Sequence, residues 1–270
     1  MMDAEKVFWN YLKSFHLKDE KIRLKIVHTF GVVKAANYIA VDQNLGQEDR
    51  QIAKLIALLH DIGRFEQIKK YHTFDDSVMS HAQCSIDILF RDGMIREFRK
   101  DQSWDPIIYD AIRLHGVYRV EDSMYQSGGW KNGERERVVL HTRLIRDADK
   151  VDNFRVKSEE SVETMVGVGE NALGEEAITP HIYDTFMAHS SIKNSDRITH
   201  MDMWVSYLAY LFDFNFDSGL KYIREKDYIN SIVDRIPYSN KDTKRKMEEI
   251  RREALEYVEN RVKRGGGMRK

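Results

Sequence analysis

Counted from His28, the residues Leu24, Gly31, Val32, Ala35 and Ile39 fall at offsets of −4, +3, +4, +7 and +11, which is one face of an α-helix. The same period runs through Ile52–Leu59, Ile107–Leu114 and 135–155, and alternating β-branched runs are scarce. Only 3 prolines interrupt 270 residues. The chain is therefore predicted to be all-α, with helices near 3–15, 20–41, 48–62, 76–91, 94–100, 105–116 and 135–155. After Phe154 the pattern turns polar, and Pro180 then opens another helix from its first turn. The expected organisation is a helical domain over 1–155, a C-terminal helical extension over 156–264 packed on it, and a disordered tail over 265–270. Gln126–Gly133 is the clearest internal loop. Met201–Phe216, dense in aromatic residues, is read as core or a dimer contact.

The helices carry chemistry that a core would not otherwise hold. His60 and Asp61 close the apolar run Ile52–Leu59 and precede Ile62-Gly63-Arg64. An ionised carboxylate buried without a partner is costly, and a cation is its natural companion. Gly63 is expected to end the helix there. His28 shares its face with apolar residues, His81 and His115 stand at the ends of apolar helices, and Asp149 lies one turn beyond Ile145, with Asp147 and Asp152 as competing carboxylates. Any one such histidine is ordinarily a core residue bonded to a carbonyl. Six histidines and carboxylates in such settings favour a first-row transition metal site, with room for two ions if a carboxylate bridges them.

Charge and cysteine content narrow the partners. The formal net charge is −1 and the signs are interspersed, so no global field invites nucleic acid polymers or an anionic membrane. Cys84 is the only cysteine, which leaves no internal disulfide and suits a reducing compartment. With no apolar signal core at the start and no run long enough to span a bilayer, a cytoplasmic protein is expected. Its partner would be a small phosphorylated substrate, with a homo-oligomer left open.

His28, then His60-Asp61, then Asp149 on a later helix resembles the HD superfamily of metal-dependent phosphohydrolases, over roughly 20–155. His60-Asp61-Ile62-Gly63-Arg64 is similar to the His-Asp-Ile-Gly-Lys form of several branches, and Asp147-Ala148-Asp149-Lys150 resembles their Asp-Ala-Asp-Arg form. The resemblance implies Asp149, not Asp147, as the ligand. His81 and His115 match the extra histidines of the two-metal branches. A dinuclear site is therefore implied, with iron or manganese first and zinc, nickel or cobalt as alternatives, held by His28, His60, Asp61, His81, His115 and Asp149. The Gly-Tyr-Pro element of the cyclic di-GMP enzymes is absent, and Arg64 stands where the small nucleotidases carry Glu.

On this reading Asp61 bridges the ions and an activated water attacks phosphorus in line with the leaving oxygen. Arg64 is the first choice to clamp the substrate phosphate, against a plain salt bridge with Glu66 or a neighbouring Asp. Lys150 is the second choice, and His72, from its loop, is a candidate to protonate the leaving group. Two other functions fit the same residues: a di-iron oxygenase using all six ligands, and a non-catalytic metal- or nucleotide-binding module.

Overall fold

The computed structural model describes residues 4–125 and 133–263. The loop expected at 126–133 and the tail at 265–270 thus fall almost wholly outside the described residues. Those residues form helices and no strand, as the helical period predicts. No helix among them is long and apolar enough to cross a membrane. The chain divides into two compact units, 1–149 and 150–270.

The first unit begins with α1 (Ala4–Leu12) and α2 (Glu20–Asp42). Asp19 caps α2 by accepting from the Ile22 amide at 3.0 Å, which satisfies one of the donors that a helix start leaves free. Helix α3 (Gln47–Leu59) has Glu48 and Asp49 in its first turn, where negative charge complements the helix dipole. It packs along α2, and Ile52, Ala53, Leu55, Ile56 and Leu59 are buried. Helix α4 (Ile62–Tyr71) follows after two residues. The sequence reading missed it, although Ile62, Phe65 and Ile68 are buried at helical spacing.

Helix α5 (His81–Ile86) runs into a π-helical turn at Asp87–Arg91. It starts five residues later than expected, because Ser80 caps it and the carbonyls of Phe74, Asp75 and Met79 accept from side chains of α4. After α6 (Ile95–Phe98), α7 (Asp105–Leu114) carries Pro106 in its first turn and α8 (Glu134–Glu159) completes the unit. Helix α5 packs on α4 and α7, and α7 on α3.

The second unit starts within α8 and adds α9 (Val162–Val166), α10 (Glu170–Glu175), α11 (Pro180–Met187), α12 (His200–Leu208), α13 (Asp217–Glu225), α14 (Tyr228–Asp234) and α15 (Lys241–Lys263). Helix α15 packs on α11, α13 and α14, burying Met247, Ile250, Ala254 and Val258. The aromatic stretch 201–216 is buried, with Trp204, Phe214 and Phe216 almost wholly inaccessible.

Candidate metal centre

The break between α3 and α4 makes the centre. His60 continues the α3 geometry for one residue, its amide donating to the Ile56 carbonyl at 2.8 Å. Asp61 then leaves helical geometry at φ −109°, ψ 18° and becomes the N-cap of α4 without capping it through its side chain. Its carboxylate stays available to the interior. Ser85 of α5 braces the turn, accepting from the Gly63 amide at 2.9 Å and donating to the His60 carbonyl at 3.1 Å.

Gly63 does not end a helix, contrary to expectation. It is the second residue of α4, and a Cβ there would stand 2.5 Å from the His81 carbonyl oxygen and from the Ser85 amide nitrogen. The glycine is needed because α5 passes against α4 at that point.

The six expected ligands converge within the first unit. His28 from α2 places Nε2 3.0 Å from Asp149 Oδ1 of α8 and 3.9 Å from Asp61 Oδ2. His60 Nε2 lies 3.5 Å from Asp61 Oδ2 and 4.0 Å from Asp149 Oδ1. On the other side of Asp61, Oδ1 lies 3.4 Å from His81 Nε2 and 3.6 Å from His115 Nε2. Two metal-sized groups result, His28–His60–Asp61 and Asp61–His81–His115, with every member buried. Asp61 belongs to both. Of the competing carboxylates, Asp152 pairs with Arg155; Asp149 reaches His28.

Hydrogen bonding turns the imidazoles toward a cation. His60 Nδ1 lies 2.8 Å from the Ala57 carbonyl, and His115 Nδ1 2.7 Å from that of Ile112. A carbonyl only accepts, so each Nδ1 carries the hydrogen and each Nε2 keeps a lone pair. His81 Nδ1 lies 2.6 Å from Asp76 Oδ1, with the same consequence. The Nε2 atoms of His81 and His115 then face each other at 3.0 Å, an unfavourable meeting of lone pairs that a cation relieves. His60 Nε2 and Asp61 Oδ1 are buried and make no hydrogen bond, the state of atoms that serve as ligands.

The protonation states agree. Burial pushes His60 down to about 3, against the pull of Asp61. Burial and the neighbouring Arg64 push His81 down to about 4. Both rings are neutral at pH 7 and can ligate. Burial alone would raise the Asp61 carboxyl, but the Lys25 ammonium holds it well below the usual carboxylate range. For Asp149 the hydrogen bond with His28 likewise outweighs burial, and its carboxyl is lowered. Four imidazoles and two carboxylates, all but Asp149 deeply enclosed, fit a first-row transition metal better than magnesium or calcium.

The expected basic residues are placed differently. Arg64 spends its fork on Asp76, Nη1 to Oδ1 at 2.9 Å and Nη2 to Oδ2 at 3.1 Å, so the two donors expected to clamp a phosphate are committed. Its Nε stands 3.8 Å from Asp61 Oδ1. Lys150 Nζ sits 2.7 Å from Asp213 Oδ2 within the second unit. His72 is an exposed residue closing α4 in the left-handed conformation, φ 53°, and no contact joins it to the ligands.

Three participants escaped the sequence reading. Lys25, one turn before His28, places its ammonium on Asp61 Oδ2; its position on the His28 side of α2 was the available signal. Asp76 binds His81 from five residues upstream, with burial raising its carboxyl but His81 and Arg64 holding it down at about 2. Ser85 leaves no mark in the sequence beyond helical spacing.

Residues 26–153 match the family described as HD domain. No curated protein and no solved structure matches the chain.

Proposed function

Because residues 26–153 are an HD domain, a family consisting mostly of metal-dependent hydrolases, we propose that this protein is a metal-dependent phosphohydrolase. Its substrate on this reading is a phosphoester or phosphoanhydride of a small metabolite or nucleotide. The observation that carries the reading is the sharing of Asp61 between two buried ligand groups.

One ion would be held by His28, His60, Asp61 and Asp149, the other by Asp61, His81 and His115. Iron or manganese is the first choice, as the family resemblance implies, with zinc, nickel or cobalt as alternatives that the same donors accept. Paired ions polarise phosphoryl oxygens and lower the pKa of water between them. The protein's part is to keep the rings neutral, to fix the Nε2 atoms of His60, His81 and His115 toward the centre through their Nδ1–H bonds, and to hold Asp61 ionised beside Lys25.

The test is to load the full chain with Mn(II) or Fe(II), count bound metal, and screen phosphorylated metabolites for phosphate release with and without oxygen. Two ions per chain and oxygen-independent release are expected, both lost in Asp61→Ala. Full metal occupancy in Asp61→Ala sinks the bridging role, and substrate-dependent oxygen uptake would show an oxygenase instead.

A further inference from the structure

The three histidines with defined Nδ1 partners are not held alike. His60 and His115 each donate to a carbonyl three residues back in their own helix, a partner that no side-chain substitution removes. His81 is the first residue of α5 and has no preceding helical turn to supply one. Its Nδ1 depends on the Asp76 carboxylate, at 2.6 Å, and the same oxygen accepts from the His81 amide at 3.3 Å.

Asp76 is in turn fixed from α4. Both Arg64 terminal nitrogens grip it, and Arg64 Nη1 also donates to the Phe74 carbonyl at 2.8 Å and to Gln67 Oε1 at 2.7 Å. Gln67, wholly buried, donates to the carbonyls of Asp75 at 2.9 Å and Met79 at 2.7 Å. Both ends of the segment 74–79 are thereby strapped to α4, the helix that follows Asp61. A carboxylate behind a ligating histidine fixes the ring's tautomer and orientation and raises its basicity.

We propose that Asp76, held by Arg64 and Gln67, is a positioning residue that governs filling of the Asp61–His81–His115 pole while leaving the His28–His60–Asp61–Asp149 pole intact. Arg64 on this view serves the metal centre through Asp76 rather than by gripping substrate. The inference rests on the two-ion reading above, and the wild-type arm of its test checks that reading separately.

The test titrates metal-free full-length protein with Mn(II), following stoichiometry and affinity by calorimetry and the manganese signal by electron paramagnetic resonance. Wild type is expected to bind two ions and to give the spectrum of a spin-coupled pair. In Asp76→Ala one ion binds with wild-type affinity, the second weakens about 10- to 100-fold, and an isolated Mn(II) spectrum replaces the coupled one. Asp76→Asn keeps an acceptor oxygen but loses the charge, and falls between. Equal weakening of both ions, or wild-type affinity for the second ion in both variants, overturns the proposal. Should Asp76→Ala fail to melt cooperatively by circular dichroism, Asp76→Asn decides alone by the same criteria. A wild type that binds fewer than two ions overturns the two-ion reading itself, and the proposal with it.

Discussion

Lys25 shows how one side chain can stand where an ion is expected. Its ammonium rests on Asp61 Oδ2, both side chains are largely buried, and its charge comes first among the influences that hold the Asp61 carboxyl down. Removing one partner of a buried ion pair leaves the other uncompensated, at a cost of roughly 3–5 kcal/mol. Lys25→Met should therefore lower the melting temperature of the metal-free protein. Added metal restores a cation to Asp61, so the variant should gain more than wild type on addition of Mn(II). Melting both proteins with and without the ion measures this, and equal metal-dependent shifts would show that Lys25 and the ion do not compete for that carboxylate. In the sequence Lys25 is marked only by standing one turn before His28; a lysine on a helix is ordinarily solvated, and it is the fold that turns this one toward Asp61.

Among the elements, the contact of α4 with α5 makes the strongest demand. A methyl group on Gly63 would meet backbone on every side, the His81 oxygen and Ser85 nitrogen at 2.5 Å and the Cys84 carbonyl carbon at 2.9 Å. No flexible side chain can yield, so α5 itself must move. Overpacking of this kind costs about 1–3 kcal/mol or more. Gly63→Ala should thus destabilise the protein by at least that much in urea and displace His81, weakening metal binding at its pole. Unchanged stability would mean that α5 can slide without penalty. The sequence read well wherever burial imposes a period, as in α2, α3, α7 and α8, and it placed the histidines at the ends of α3, α5 and α7. It failed where hydrogen bonds replace packing. The segment 72–80 has no period, and its shape comes from Arg64 and Gln67, whose partners lie up to twelve residues away. Gly63 was misread because a glycine after an apolar run resembles a helix stop, whereas its need arises from a helix that comes later in the chain.

Over the whole chain, neighbouring residues of α8 serve different units: Asp149 closes the first on His28, and Lys150 pairs with Asp213 in the second. The first unit is also tied at the opposite end of α3 from His60. There Asp49 accepts from Arg137 at 2.8 Å and meets His141 Nε2 at 3.0 Å. Glu48 beside it receives Arg137 at 3.0 Å and the Trp104 indole N–H at 3.0 Å. The α3 that carries His60 and the α8 that carries Asp149 are thus joined away from the metal centre as well as through it. The hydrogen bond from wholly buried His141, followed by Arg137, lowers the Asp49 carboxyl to about 2 from 3.8. A carboxyl depressed on folding stabilises the protein fully above its unfolded pKa, and that contribution disappears as pH falls through the folded value. For Asp49 the window runs from about 4 down to about 2. With the side chain about a quarter exposed, the contribution should be on the order of 1–2 kcal/mol after allowance for solvent screening. Asp49→Asn should accordingly be less stable than wild type at pH 7 by that amount. The gap should persist to about pH 4 and close as the pH approaches 2, because only wild type then has a proton to take up. Urea denaturation of the metal-free proteins at several values between pH 7 and pH 2.5 measures it. A gap that stays constant across this range would mean that Asp49 contributes through shape alone and that its charge does not help to hold α3 to α8.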